Sequence, residues 1–168
     1  MGAEGIIQSF DPIVGPGARV LILGSMPGVA SLEAGQYYAH PRNAFWQIMG
    51  DLFGAHPDLP YETRRSILID QGVAVWDVLK HCRREGSLDS NIRDEIPNNF
   101  RKLFEMHTGI SRVLLNGGTA ARCYKKYAGS LRPDLATVLV PSTSPAYAAM
   151  RFEEKLGRWR AALLDMQP

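Results

Sequence analysis

Two stretches of the chain bring together residue types that catalysis can use. The first is Gly24-Ser25-Met26-Pro27-Gly28, followed by Tyr37-Tyr38-Ala39-His40-Pro41-Arg42-Asn43-Ala44-Phe45-Trp46. Glycine lets the backbone approach a ligand closely. Tyr37 and Tyr38 offer flat faces to a planar base, and Asn43 carries both an amide donor and a carbonyl acceptor. The second stretch is Pro141-Ser142-Thr143-Ser144-Pro145-Ala146-Tyr147. Small hydroxyl residues between prolines make a stiff turn whose amides can hold a phosphate. Plainer readings stand beside these. Asn43 is also a good cap for a helix holding Phe45 and Trp46, whose rings face inward if that helix is amphipathic. Taken singly, Tyr38 and Asn43 fit packing and capping better than chemistry. The serine-rich stretch also reads as a surface turn, and its place directly after a strand is what argues for a site.

Other candidates carry less. Asn116-Gly117-Gly118 is similar to a phosphate-binding turn but lacks the GxGxxG spacing and the GxxxxGK[ST] lysine, so a nucleotide cofactor is not expected. Asp77 and Asp89 are candidates to orient a water or hold a base. Asp89, just before Asn91, reads equally well as a solvated loop acid. Arg122, Lys125 and Lys126 make a basic helical face of the kind that is usually solvated. No GxSxG occurs, which disfavours a nucleophile-elbow hydrolase. No HxE is joined to PCxxC, which excludes a zinc deaminase. His40, His56, His81 and His107 show no ligand spacing, so no metal is expected.

The elements that must position these loops are legible as alternating patterns. Nearly continuous apolar runs at 19–24, 73–77, 112–116 and 137–140 predict strands covered on both faces. Helical stretches are predicted at about 43–54, 61–71, 98–107, 118–128 and 151–165. In the last, Phe152, Leu156, Trp159 and Leu163 form one apolar stripe, and Pro97 is read as a first-turn proline. Alternation of this kind predicts an α/β fold, a parallel sheet with helices on both faces. Ligands of such sheets bind beyond the carboxyl ends of the strands, so the loops from Gly24, Asp77, Asn116 and Pro141 should meet. Residues 78–97, rich in charge, are read as a long connection within the domain.

The totals set outer bounds. A chain of 168 residues predicts one domain over 1–168, large enough to hold a core without a disulfide or metal. Cys82 and Cys123 lie far apart with no CxxC partner, which excludes a four-cysteine cluster and suits a reducing compartment. The start has neither a basic nor an apolar signal region, and no apolar run approaches the ~20 residues of a membrane span. A soluble, cytoplasmic protein is expected. The net charge of +2 permits nucleic-acid binding without arguing for it.

At the two loops the sequence resembles the uracil-DNA glycosylase superfamily, and within it the hypoxanthine-DNA glycosylase branch more closely than the mismatch-specific glycosylases. Gly-Ser-Met-Pro-Gly with Tyr-Tyr-Ala-His-Pro-Arg-Asn-Ala-Phe-Trp carries the first likeness, and Pro-Ser-Thr-Ser-Pro-Ala the second. It extends through Ser87-Leu-Asp-Ser-Asn-Ile-Arg and Leu115-Asn-Gly, over most of the chain. The resemblance implies a three-layer α/β/α sandwich around a four-stranded parallel sheet. It also implies a monofunctional glycosylase without metal or cofactor, acting as a monomer on DNA that contains a deaminated base. Where mismatch-specific relatives have a water-positioning asparagine, this chain has Met26, which argues against ordinary uracil excision. In the hypoxanthine branch the catalytic asparagine maps to Asn43, and the aromatic that stacks on the extruded base maps to Tyr38. Tyr147 stands where asparagine is expected.

On this reading the base is drawn from the stack into a pocket, stacks on Tyr38 and leaves through an oxocarbenium-like sugar. Asn43 orients the water. Backbone amides at Gly24, Ser25 and Asn116, with Met26 alongside, meet the base. Ser142, Thr143, Ser144 and Pro145 hold the phosphates, assisted by Arg42 or Arg151. Asn43→Ala is expected to abolish excision with the thermal melt intact. Alternatives are a uracil or mismatch glycosylase, a non-catalytic nucleic-acid-binding relative, and a small-molecule hydrolase using Ser25 or Ser144 with His40.

Overall fold

The computed structural model describes residues 5–164. Four parallel strands form the central sheet: β2 (Val20–Gly24), β3 (Val73–Asp77), β6 (Arg112–Asn116) and β7 (Ala136–Val140), in the order β3-β2-β6-β7. The helices around it are α1 (Val29–Ala34), α2 (Phe45–Phe53), α3 (Tyr61–Asp70), α4 (Phe100–Met106), α5 (Gly118–Tyr127) and α6 (Phe152–Leu164). The expected α/β sandwich with a four-stranded parallel sheet is present. Every residue of β2 and β3 is buried, as is the interior of β6. β7 departs from the expectation of burial on both faces: it pairs only with β6, and Leu139 is 63% exposed.

Register explains why the site forms where it does. Gly24 pairs with Asp77, Leu23 with Leu115, and Asn116 with Val140. All four strands therefore stop at one edge, and the loops leaving them start side by side. Trp159, fully buried in α6, donates its indole N–H to the carbonyl of Pro141 at 3.0 Å. Trp46 in α2 does the same for the Tyr37 carbonyl at 2.8 Å. A buried indole has one donor to satisfy, and here each satisfied donor fixes one site loop to a helix. Phe45 and Trp46 do face the core.

The stretch read as a connection is structured. β4 (Leu79–Arg83) and β5 (Arg93–Pro97) pair antiparallel, with β1 (Ile6–Gln8) beside β4, in a second, three-stranded sheet. Only Val78 separates β3 from β4. The pairing of β4 with β5 contains register shifts, and such irregularity removes the two-residue alternation by which strands are recognised. Pro97 ends β5 rather than opening a helix. Asn99 caps α4 instead, its side chain accepting from the Lys102 amide at 3.1 Å.

The basic face of α5 is partly neutralised: Glu95 accepts hydrogen bonds from Tyr127 and Lys126, and Arg122 lies within 4.0 Å of it. Cys82 and Cys123 are free, buried thiols. Among the described residues no helix is long and apolar enough to cross a membrane, and no three His, Cys, Asp or Glu side chains are grouped to hold a metal.

Candidate active site

A cavity of about 350 Å³ opens at the carboxyl edge of the parallel sheet. It is lined by Gly24, Ser25, Met26, Tyr38, His40, Asn43, Asp77, Asp89, Asn116, Ser142, Thr143, Ser144, Pro145 and Tyr147, among others. Arg42 lines a neighbouring cavity that shares Asn43, Ser144, Pro145 and Tyr147 with the first. Arg151 lines neither; its side chain is 85% exposed and faces Glu153.

Tyr38 forms one wall. Its ring stacks on Phe45 with centroids 4.1 Å apart, and its hydroxyl accepts a hydrogen bond from Asn116 Nδ2 at 3.2 Å. Burial keeps that hydroxyl protonated far above its usual range. Its φ of 55° lies in the left-handed region, where a bulky non-glycine residue is strained unless its surroundings hold it.

Asn43 has two relations at once. It lines the cavity, and its Oδ1 accepts from the Phe45 amide at 3.0 Å. The bond to the start of α2 and the place on the cavity wall coexist. An amide oxygen has two lone pairs. The bond to Phe45 takes one and identifies which end of the side chain is oxygen, leaving the other pair for a water. Alanine at this position would remove the bond to the first amide of α2, so the expected loss of excision comes with a small loss of stability.

Asn116 and Thr143 join two loops. Asn116 Oδ1 accepts from the Thr143 amide and its Nδ2 donates to Thr143 Oγ1, both at 3.0 Å. The Thr143 carbonyl in turn accepts from the Ala44 amide at 3.0 Å. Thr143 is 1% exposed, so its polar groups are spent inside the protein and not on a phosphate. Both Asn116 amide protons are likewise spent, on Tyr38 and Thr143, so the side chain acts as a clamp.

The serine loop holds itself. Ser144 N donates to Ser142 Oγ and Ala146 N to Ser144 Oγ, each at 3.2 Å, and Tyr147 N donates to the Ser144 carbonyl. The amides of Thr143, Ser144, Ala146 and Tyr147 are therefore occupied within the protein, and prolines 141 and 145 have none. Since both serine oxygens accept in these bonds, their O–H protons remain to donate outward. Lys155, 6% exposed, donates to the Tyr147 carbonyl at 2.7 Å, and burial lowers its pKa.

Residues 84–91 close the opposite wall. Ser25 Oγ donates to Asp89 Oδ1 at 2.8 Å, and Val29 N donates to Ser87 Oγ at 2.9 Å. Arg84 Nε and Nη2 reach the carbonyls of Gly86 and Pro27, each at 2.7 Å. Asp89 is thus both things the sequence allowed, an exposed loop acid and a part of the cavity wall. Ser25 is committed to Asp89, and His40 Nδ1 accepts from the Arg42 amide at 3.0 Å, so no serine–histidine pair exists here. Sequence reasoning missed Arg84, because arginine ordinarily signals exposure. Asp77 is 3% exposed and its Oδ2 has no hydrogen-bond partner. Burial, with Asp89 nearby, raises its carboxyl to about 7 against the opposing pull of Arg84.

The profile of the uracil DNA glycosylase superfamily matches residues 12–166. The chain belongs to that superfamily. A superfamily relative from Methanosarcina acetivorans named hypoxanthine DNA glycosylase is 36% identical over 143 residues, covering 84% of this chain and 88% of its own. A protein of the same name from Methanosarcina barkeri is 39% identical over 111 residues, 66% of this chain and 70% of its own. A solution NMR structure of a candidate uracil DNA glycosylase from Methanosarcina acetivorans superposes with a TM-score of 0.77 at 32% identity. It covers 94% of this chain and 98% of that one.

Proposed function

We propose that this protein is a monofunctional DNA glycosylase that hydrolyses the bond between deoxyribose and a deaminated base, hypoxanthine foremost, flipped into the carboxyl-edge cavity. The observation that carries the reading is that Tyr38 and Asn43 line one cavity, each held by a bond or stack that leaves part of it for substrate. The names of the two Methanosarcina relatives support the choice of base.

Extrusion of a nucleotide costs a few kcal/mol, of which stacking on an aromatic face returns about 1–3 kcal/mol. Tyr38, backed by Phe45, offers that face. Backbone amides of the turn at Ser25 and Met26 meet the carbonyl edge of the base as charge develops on it. Met26 itself supplies only a thioether, a weak acceptor. The fixed Asn43 oxygen orients the water, and positioning matters more than basicity for a dissociative step. The free hydroxyl protons of Ser142 and Ser144, with Arg42 in the adjoining cavity, hold the backbone on either side. Tyr147 caps the rim. The reading takes the whole chain as one domain acting as a cytoplasmic monomer without a cofactor.

Duplexes and single strands carrying one deoxyinosine, deoxyxanthosine or deoxyuridine test it, with alkaline cleavage reporting abasic sites. Cleavage strongest at deoxyinosine is expected. Cleavage mainly at deoxyuridine would transfer the protein to the uracil-removing branch, and no cleavage anywhere would make it a binding protein.

A further inference from the structure

We infer that Asp77 donates its carboxyl proton to N7 of the departing purine. The inference rests on the excision reading above and names the acid of that same site.

Asp77 ends β3 at the cavity wall beside Gly24 and Tyr38. Its surroundings disfavour the ionised form. Arg84 is the cation that acts on it, yet that guanidinium is turned to the carbonyls of Gly86 and Pro27, and no ion pair to Asp77 is formed among the described residues. Asp89 adds a like charge. Tyr37 and Tyr38, also facing it, are kept neutral by burial. Asn98 donates to the Asp77 backbone carbonyl and not to its side chain. A buried carboxylate without a partner is costly, so the group retains its proton near neutrality, its pKa raised to about 7. A neutral carboxyl carries one O–H donor, and a donor in a dry site counts for more than in water.

Gly24 is independent support. A Cβ at that position would lie 2.6 Å from Asp77 Oδ1 and 2.9 Å from the Tyr38 hydroxyl oxygen. Only the absence of a side chain leaves the carboxyl its place between strand end and aromatic wall. The backbone is shaped around an acid that makes no structural bond, which marks it for a ligand.

The chemistry balances. As the C1′–N9 bond breaks, its electron pair passes to the purine. The Asp77 proton moves to N7, so hypoxanthine departs neutral and Asp77 is left a carboxylate. The water oriented by Asn43 forms the new C1′–O bond and releases its proton to solvent, from which Asp77 is reprotonated. A pyrimidine has no N7, so the device favours purines.

Single-turnover excision by the full chain, measured from pH 5.5 to 9 on deoxyinosine and 7-deazadeoxyinosine duplexes, tests the inference. The wild-type rate should be level below about pH 7 and fall about tenfold per unit above it. Asp77→Asn keeps the shape but cannot transfer a proton. It should lose about 10²–10⁴-fold and its alkaline limb. The 7-deaza base should slow the wild type by a comparable factor and leave Asp77→Asn unaffected. A level wild-type profile to pH 9, or an equal 7-deaza penalty in both proteins, would overturn the assignment while excision itself stands. If the variant does not fold, the wild-type pH profile still decides. No excision of any base by the wild type would sink the function reading first.

Discussion

Asn43→Ala removes the side-chain bond to the first amide of α2 and, on the proposed mechanism, a water-orienting oxygen, and the two losses differ enough in size to be told apart. The first is the 3.0 Å bond from the Phe45 amide to Asn43 Oδ1, and deleting a side-chain bond of this kind at a helix start costs about 1 kcal/mol. In a chain of this length that lowers the melting temperature by roughly 2–4 °C. Proteins of ordinary stability hold about 5–15 kcal/mol, so more than about 99% of the variant stays folded. Losing a positioned proton acceptor at the reaction centre lowers the rate by about 10²–10⁴-fold, or roughly 3–5 kcal/mol of barrier. Unfolding cannot mimic that. Single-turnover release of hypoxanthine with enzyme in excess, beside a fluorimetric melt, measures both. Asn43→Asp restores an acceptor to the Phe45 amide and should recover the melt. Excision by Asn43→Ala within tenfold of wild type, with the expected small melt shift, would refute the argument and leave Asn43 only its bond to the start of α2.

Other consequences follow from the same geometry. Gly24→Ala drives a methyl against the Asp77 carboxyl and the Tyr38 hydroxyl, and overpacking of this kind costs about 1–3 kcal/mol; activity should fall further than stability, by melt and excision side by side. The raised Asp77 pKa has a stability sign. Below pH about 4 the group is protonated in both states, whereas up to about 7 only the unfolded chain ionises it freely. Wild type should therefore lose stability relative to Asp77→Asn by roughly 1.4 kcal/mol per unit across that window, and urea midpoints that differ equally at pH 4 and pH 8 would contradict this. Ser142→Ala with Ser144→Ala should weaken DNA binding by about 1 kcal/mol per hydroxyl without changing its salt dependence. Arg42→Ala should reduce the slope of log K against log salt by about 0.9. Fluorescence anisotropy at several salt concentrations distinguishes the two.

The parallel sheet was legible because its four strands read as short, nearly continuous apolar runs, although β7 at the edge is not buried as β2, β3 and β6 are. The last helix was legible from one stripe, with Trp159 and Leu163 buried as spaced. The second sheet was not, because Arg93–Pro97 contains three charged residues in five and its pairing is irregular. At the site, the residue types announced which loops would meet, and the register of Gly24 with Asp77 brings them together. What the types could not announce is which polar groups are already spent. Thr143 and Ser144 are neighbours of one kind, yet Thr143 is turned inward to Asn116 while Ser144 keeps a proton for solvent. That difference lies in tertiary partners, which no local pattern encodes. Arg84 was hidden for the same reason.

The self-satisfied serine loop bears on how such an enzyme would search a genome. Amides fixed in place and aimed at a phosphate would hold every stretch of duplex about equally well, damaged or not. Two rotatable hydroxyls on a chain of net charge +2 would hold any one phosphate weakly and release it readily. Time spent on undamaged DNA is then short, and lengthens only where a base has already left the stack and reached Tyr38. Discrimination would begin as a difference in dwell time, before any bond is broken.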